Sequence, residues 1–385
     1  MLFNLKKFER RTEELKQKRY FGFTEIPDFT VLEDTAERDT VHYAIPEELY
    51  HSAETMRIGD TYSGRDKYLW LYKKIRLPKK KDGCKTVGIF DFGKTGAGNT
   101  NGFESLLYVD GTPYQGVDTN HGDVVFDGLD SKETELVFLL WTGLEGGGEP
   151  KIQTHRLSCA KIGYLDMAAD KLYYYAKAIT ETLKVLPTDD TNYAKLTDIM
   201  ESALLLLNWD DDKFLDTVPA ALEAMEEKIE KYGKQSDVTV SCIGHTHIDM
   251  AWLWRLKHTH KKGQRSFSTV NRLMNEYDEY KFLQTQPQLY KYIKEDAPEI
   301  YSMIKQRVRE GKWETDGGMW LEADCNIPSG ESLVRQLKYG IEFIKNEFGK
   351  KCEFLWLPDV FGYSWALPQI LLGCGINTFM TTKIS

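Results

Sequence analysis

The segment GHTHIDMAWLW, residues 244–254, is the most informative part of this sequence. An apolar, β-branched run at residues 238–243 precedes it and predicts a strand. Side chains alternate between the two faces of a strand, so His245, His247 and Asp249 emerge on the same side. Any two of these imidazole and carboxylate groups can then bind one divalent cation. The segment therefore predicts a metal site at the end of a strand.

A second apolar stretch, residues 354–357, leads into PDVFG and places Asp359 at another strand end. This aspartate either belongs to the site or caps the next helix, which is a common role for Asp. Between the two segments, Trp320, Glu322 and Asp324 either line a substrate subsite or close a loop. We expect the two strand ends to share one site.

Apolar runs alternate with amphipathic segments throughout the last third of the chain. The patterns predict strands near 238–243, 281–285, 313–317, 353–357 and 378–382, and helices near 262–277, 297–310 and 330–348. Repeated strand–helix units are typical of a parallel sheet whose site lies at the carboxyl ends of the strands. We expect an α/β fold, a distorted and incomplete β/α barrel.

The upstream sequence changes character twice. Short alternating runs separated by Gly, Asp and Asn predict antiparallel strands, and later segments have the i, i+3, i+4 apolar spacing of helices. We therefore predict a multidomain protein with four regions: an N-terminal helix at 1–20, an antiparallel β-sandwich accessory domain at 21–160, a helical linker at 161–235 and the α/β domain at 236–385.

Composition narrows the class of protein. The 385 residues carry a formal net charge of -9, which argues against a nucleic-acid partner. The sequence contains no run of eighteen apolar residues, so it predicts no membrane span. The charged N-terminus is unlike a signal peptide. The six cysteines include no C-x-x-C pair, so we expect reduced thiols in a cytoplasmic protein.

Together with WETDGGMWLEADCN, the motifs HTHID and WLPDVFGYS resemble the catalytic domain of glycoside hydrolase family 38, the retaining zinc-dependent α-mannosidases. The resemblance is close over residues 236–385, and the upstream part is similar to the accessory region of the family's cytosolic and bacterial branch. It implies one zinc ion per active site, bound by His247, Asp249 and Asp359. It also implies that Asp359 is the catalytic nucleophile and that the substrates are α-mannoside oligosaccharides.

The resemblance further implies that Trp252 stacks on the sugar. Phe361 offers a second aromatic face, and Trp320 and Asp324 are additional candidates for contact with substrate. We interpret His245 as a residue that supports the metal ligands by hydrogen bonding. The oligomeric state is left open, with a homo-oligomer among the options.

In the family, a fourth zinc ligand and the general acid lie well beyond the nucleophile. We therefore expect this chain to be the N-terminal portion of a longer enzyme and to be inactive alone. Two alternatives remain. One is a metal-dependent polysaccharide deacetylase, although its typical H-x-x-x-H ligand pair is absent from the sequence. The other is a non-catalytic carbohydrate-binding fragment.

A second His-Thr-His sequence occurs at His258 to His260. Four basic residues, Arg255, Lys257, Lys261 and Lys262, surround it, and no carboxylate is near in sequence. Neighbouring cations disfavour metal binding, so we expect this motif at the exposed start of a helix.

Overall fold

A computed structural model of the chain describes residues 4–34, 44–93, 103–126, 128–145 and 147–384. Antiparallel strands make up the N-terminal β region, residues 20–166. The strands are β1 Tyr20–Glu25, β2 Asp28–Asp34, β3 Thr55–Arg57, β4 Thr61–Gly64, β5 Tyr68–Arg76, β6 Cys84–Asp91, β7 Glu104–Val109, β8 Thr112–Asp118, β9 Asp123–Val125, β10 Glu133–Trp141, β11 Gln153–Arg156 and β12 Cys159–Asp166.

Two of the antiparallel sheets face each other across one apolar core. The larger has the order β3-β2-β5-β10-β7-β8 and the smaller β1-β12-β6-β9, while β11 and β4 form a separate ribbon. Phe29 and Phe138 of the larger sheet pack edge to face, and Phe90 of the smaller sheet packs against Phe138. The burial of such rings is the main source of stability for this layered arrangement.

The larger sheet is apolar on its outer face as well. Trp70, Tyr108 and Trp141 form a second cluster there, together with Leu49 from the short 3-10 helix Glu47–His51. Burial on both faces explains why β10, with the sequence ETELVFLLW, is a continuous apolar run and not an alternating one.

Four helices form the next layer and share one core. They are α1 Leu5–Lys18, α2 Met167–Val185, α3 Thr191–Leu204 and α4 Asp211–Tyr232. Helix α2 begins directly after β12 because the side chain of Asp166 caps it, accepting a hydrogen bond from the backbone N–H of Ala169 at 2.8 Å. No helix within the described ranges is long and apolar enough to cross a membrane.

The C-terminal α/β region, residues 244–380, alternates strands and helices. The strands are β13 Gly244–His245, β14 Phe282–Gln284, β15 Trp313–Thr315, β16 Phe354–Trp356 and β17 Thr378–Met380. The helices are α5 Leu256–Glu276, α6 Pro287–Asp296, α7 Pro298–Arg309, α8 Gly330–Phe348 and α9 Leu367–Gly373. The predicted multidomain α/β class is confirmed.

All five of these strands are parallel, but they form two groups. Strands β13-β14-β15 make one sheet and β16-β17 another. Among the described residues, two isolated parallel bridges connect the two groups: one between Cys325 and Tyr363, in the segments that follow β15 and β16, and one between Gly317 and Leu355. Beside the Gly317–Leu355 bridge, the buried carboxylate of Asp316 accepts a hydrogen bond from the backbone N–H of Glu353 at 2.9 Å. Each group packs mainly on its own apolar core.

The prediction of a strand at 238–243 is wrong, because the strand β13 covers only Gly244–His245. Pairing begins only at Gly244, which bonds to β14, and Val238 and Val240 are exposed. β13 lies at the edge of its sheet, and no described strand pairs with residues 238–243. An apolar, β-branched run becomes a strand only where a neighbouring strand accepts its hydrogen bonds. The sequence analysis did not predict helices α6 and α9, each of which has a proline in its first turn.

Candidate metal centre and active site

Three of the predicted residues come together at one edge of the parallel strands. His247 and Asp249 lie in the ligand loop, residues 246–255, which follows β13, and Asp359 follows β16. One ligand atom from each lies within 4.8 Å of the others. These three residues, the His-Asp-Asp group below, are the one set of three or more potential ligands found among the described residues. The two motifs therefore converge although 110 positions separate their aspartates.

Hydrogen bonding orients the imidazole of His247. Its Nδ1 atom lies 2.5 Å from Oε2 of Glu322, a buried carboxylate whose other oxygen accepts from the hydroxyl of Thr285 at 3.1 Å. Its Nε2 atom faces Oδ1 of Asp249 at 3.2 Å and Oδ2 of Asp359 at 3.7 Å. Glu322 thus fixes the ring so that Nε2 points between the two aspartates.

The carboxylates of Glu322, Asp249 and Asp359 surround the imidazole of His247, and together they favour a positive charge at this point. Burial lowers the pKa of His247, but the hydrogen bond and charge of Glu322, followed by those of Asp249, raise it to about 9. In this arrangement the imidazole binds a proton strongly because the neighbouring carboxylates favour a positive charge on the ring. A divalent cation held by the same three residues would supply that charge instead.

The donor set fits zinc. One imidazole nitrogen and two carboxylate oxygens are typical zinc ligands, and a carboxylate bonded to the far nitrogen of the histidine is the usual support for such a ligand. Glu322 has this supporting position, with its side chain 4% exposed. The sequence predicts Glu322 only as a candidate for a subsite or a loop. Its partner His247 lies 75 positions away, so local patterns do not indicate the pair.

Lys383 is a site residue that sequence patterns did not indicate. Its ammonium group lies 2.7 Å from Oδ1 of Asp359 and 4.7 Å from the ring centre of Phe361. The two oxygens of Asp359 therefore have different neighbours, Lys383 on one side and His247 on the other. A lone lysine after a strand has no recognisable spacing, and only the fold brings it to this carboxylate.

Two exposed aromatic rings belong to the loops that carry the ligands. Trp252 is 56% exposed and packs edge to face with Trp254, while Phe361 is 79% exposed. Large exposed rings are costly in water and are typical of surfaces that bind a partner. Phe361 contacts Lys383, the residue that pairs with Asp359, and Trp252 lies three residues after Asp249 in the sequence.

His245 lies outside the His-Asp-Asp group. Its ring packs against Trp356 with centroids 5.2 Å apart, and its buried Nε2 atom has no hydrogen-bond partner among the described residues. Burial, followed by the charge of His247, lowers its pKa to about 4, so the ring is neutral. The structure does not show the supporting hydrogen bond that we predicted for this residue.

Trp320 and Asp324 make their described contacts elsewhere. The indole of Trp320 donates to Gln288 at 2.9 Å and packs edge to face on Phe343 of α8. The carboxylate of Asp324 accepts from the backbone N–H groups of Asn326 and Ile327, which closes a turn and lowers its pKa. Their roles in substrate binding stay predictions.

The predicted exposure of His258 is wrong. The residue does start helix α5, but it is 1% exposed and its Nε2 atom lies 2.5 Å from Oδ1 of Asp66 in the N-terminal β region. His260 is also partnered, by Asp296 at 2.6 Å. The carboxylates that bind these histidines are distant in sequence, so the neighbouring residues gave no indication of them.

Comparison with known proteins finds a family that the C-terminal α/β region matches. Residues 237–385 match the model of the glycosyl hydrolases family 38 N-terminal domain. This match confirms the resemblance to glycoside hydrolase family 38 that the motifs indicated.

Individual relatives are α-mannosidases. Alpha-mannosidase G of Dictyostelium discoideum is 38% identical over 234 residues, which is 60% of this chain and 21% of that protein. Alpha-mannosidase 2C1 of Mus musculus is 34% identical over 297 residues, which is 73% of this chain and 28% of that protein. Alpha-mannosidase of Saccharomyces cerevisiae is 42% identical over 160 residues, 41% of this chain and 15% of that protein. The chain thus spans less than a third of each of these relatives.

Proposed function

We propose that this chain forms part of a retaining, zinc-dependent α-mannosidase that releases terminal α-linked mannose from glycans through a covalent mannosyl-enzyme. The single observation that carries the proposal is the convergence of His247, Asp249 and Asp359, with ligand atoms within 4.8 Å of one another. Support comes from the family match and from relatives named as α-mannosidases.

Zinc is the proposed metal, held by Nε2 of His247 and by carboxylate oxygens of Asp249 and Asp359. When bound, it would supply a positive charge for two adjacent sugar hydroxyls, and mannose offers a cis pair at O2 and O3. The residues of the chain hold and orient the proposed ligands. Glu322 keeps the histidine ring in place, with Nε2 directed between Asp249 and Asp359.

Asp359 is the proposed nucleophile. The ammonium of Lys383 binds Oδ1 and so holds the carboxylate in a fixed orientation. A carboxylate oxygen attacks the anomeric carbon as the bond to the leaving oxygen breaks, and water later hydrolyses the mannosyl ester. Retaining chemistry requires a second carboxyl group about 5 to 5.5 Å from the nucleophile to protonate the leaving oxygen.

The other carboxylates of the site are poorly suited to that acid role. Asp249 belongs to the proposed metal ligands, and Glu322 is buried between His247 and Thr285. We therefore propose that efficient turnover depends on an acid outside the described residues. The strands would be part of a larger, barrel-like sheet that supplies it.

Trp252 and Phe361 are the proposed sugar-binding faces. Both rings are largely exposed, and their loops also carry ligands of the His-Asp-Asp group. An aromatic ring stacked on the C–H face of a sugar contributes apolar contact without requiring fixed hydrogen bonds.

We also propose that the protein works in the cytoplasm. All six cysteines are free thiols, as expected for a reducing compartment.

An activated substrate tests the proposal in this chain directly. A mannosyl fluoride that carries a second fluorine on the ring needs little acid assistance, so it should mannosylate Asp359 even where the acid is missing. Mass spectrometry of peptides from the zinc-treated chain should find the sugar on the peptide that contains Asp359. Asp359→Asn should remain unlabelled, whereas Asp278→Asn, at a fully exposed carboxylate, should label normally. A label on another residue, or equal labelling after zinc is removed, would overturn the assignment.

A further inference from the structure

Asp66 joins the N-terminal β region to helix α5. It lies in the turn between β4 and β5, and its side chain is 7% exposed. Its Oδ1 atom accepts hydrogen bonds from Nε2 of His258 at 2.5 Å and from the indole of Trp141 at 3.0 Å. Its Oδ2 atom pairs with Lys257 at 3.1 Å and with Arg255. One carboxylate thus binds most of the first turn of α5.

The protonation of His258 follows from its two partners. The backbone N–H of Arg255 donates to Nδ1 at 2.9 Å, so Nδ1 carries no proton and Nε2 is the atom that donates to Asp66. Burial lowers the pKa of His258, in agreement with a neutral ring. The ring also packs on Trp141 with centroids 4.8 Å apart. These contacts leave the start of α5 little freedom.

The next residue connects this turn to the proposed metal site. The hydroxyl of Thr259 donates to the carbonyl of Met250 at 2.6 Å, with the carbonyl of Asp249 3.3 Å away. It also accepts from the indole of Trp254 at 3.1 Å. Both ends of the segment 249–254 are therefore tied to Thr259, immediately after His258.

We propose that Asp66 and His258 are positioning residues through which the N-terminal β region holds the ligand loop in its metal-binding conformation. Neither residue touches the His-Asp-Asp group among the described contacts, and the effect passes through Arg255 and Thr259 to Asp249. The inference rests on the proposed metal site. It assigns a role in that site to a region that contributes no ligand to it.

The backbone of Asp66 allows a clean substitution. Its φ angle is 61°, a left-handed conformation that Asn tolerates as well as Asp. Asp66→Asn therefore keeps the turn and removes the charge. His258→Phe keeps an aromatic ring against Trp141 and removes both hydrogen bonds. Thr269→Val is the matched control, because it removes the bond from Gly116 N–H to Thr269 at the same interface, about 16 Å further along the helix at 1.5 Å per residue.

The test uses the full chain and two readouts. Zinc affinity is measured by competition with a chromophoric chelator, and hydrogen exchange is measured for the amides of residues 249–259. We expect Asp66→Asn and His258→Phe to weaken zinc binding by about 10-fold, as loss of supporting contacts around metal ligands does. Both should speed exchange in the ligand loop, and Thr269→Val should change neither readout.

Two outcomes overturn the inference. One is unchanged zinc affinity and unchanged exchange in both variants. The other is an equal change in Thr269→Val, which would show that Asp66 is only one structural contact among many at this interface. If the unmodified chain binds no zinc, the proposed function fails, but the exchange readout still decides whether Asp66 and His258 hold the loop. A circular dichroism melt identifies any variant that does not fold, and Asp66→Asn then decides the question if His258→Phe is lost.

Discussion

The Nδ1 atom of His247 lies 2.5 Å from Oε2 of Glu322, and this contact sets the direction in which the opposite ring nitrogen points. A carboxylate in this position orients the ring and increases the basicity of the coordinating nitrogen. Since Glu322 is also bound by Thr285, its own position does not depend on the metal.

Glu322→Ala should therefore weaken zinc binding by about 10- to 100-fold, the usual effect of losing such a support. Competition titration with a chelator measures the change. Glu331→Gln, at an exposed carboxylate on α8 that pairs with Arg335, is the control and should bind zinc like the unmodified chain. Equal affinities for Glu322→Ala and the control would contradict the assigned role.

Lys383→Met should separate metal binding from catalysis. Loss of the ammonium beside Asp359 removes a cation from the surroundings of a dication, so zinc affinity should rise by about fivefold, the factor that about 1 kcal/mol of screened repulsion gives. The rate of Asp359 mannosylation by an activated mannoside should fall, because the carboxylate loses the partner that orients it. Lys351→Met, at an exposed lysine, should alter neither quantity. A fall in both quantities would show that Lys383 serves only to hold the local structure.

Trp252→Ala should reduce the affinity for mannosides while sparing zinc. A ring stacked on a sugar contributes about 0.5–1.5 kcal/mol beyond its buried area, so the concentration for half-maximal labelling of Asp359 should rise by about 3- to 10-fold. Tyr339→Ala, at an exposed ring on α8, is the control. An unchanged concentration dependence would remove Trp252 from the proposed sugar-binding surface.

Asp66 should make the stability of the chain depend on acid. Burial raises its pKa, but the hydrogen bonds that it accepts from His258, Trp141 and Lys257 outweigh burial and hold the pKa well below the ordinary range. A carboxyl with a depressed folded pKa stabilises the fold above its unfolded pKa, near ~3.9, and this stability is lost as the pH falls towards the folded value.

Urea unfolding of the unmodified chain and of Asp66→Asn at pH 7, 5 and 3, chosen to span that range, measures this effect. The difference in unfolding free energy should be similar at the two higher pH values and smaller at the lowest. A difference that grows on acidification would contradict the depressed pKa.

Gly340→Ala should destabilise the C-terminal α/β region although alanine favours helices. A Cβ atom at position 340 would overlap the backbone of Gly318, Met319 and Trp320, where α8 approaches the segment that leads to Glu322. Overpacking of this kind costs about 1–3 kcal/mol. Gly330→Ala, in the same helix with open space around it, should be neutral or stabilising. Thermal melts of the two variants measure the contrast, and equal melting temperatures would refute the close approach.

The sequence predicted that His247, Asp249 and Asp359 come together, because strand ends of a parallel sheet share an edge and this rule needs only local patterns. It did not predict what holds those ligands. The roles of Glu322, Lys383 and Asp66 depend on partners far along the chain, and nothing in their spacing indicates these pairs. The strand expected at 238–243 failed for a similar reason, since a strand requires a neighbour that the local sequence does not specify.

The proposed ligands are divided between the two units of the α/β region that the isolated bridges Gly317–Leu355 and Cys325–Tyr363 connect. His247 and Asp249 belong to the unit built on β13, and Asp359 belongs to the unit built on β16. A cation bound by all three would therefore connect the two units across a boundary where, in the part of the chain that the structure describes, the backbones pair only at isolated bridges. Metal binding and the cohesion of the two units then become one thermodynamic event, in which each gains from the other by the same free energy.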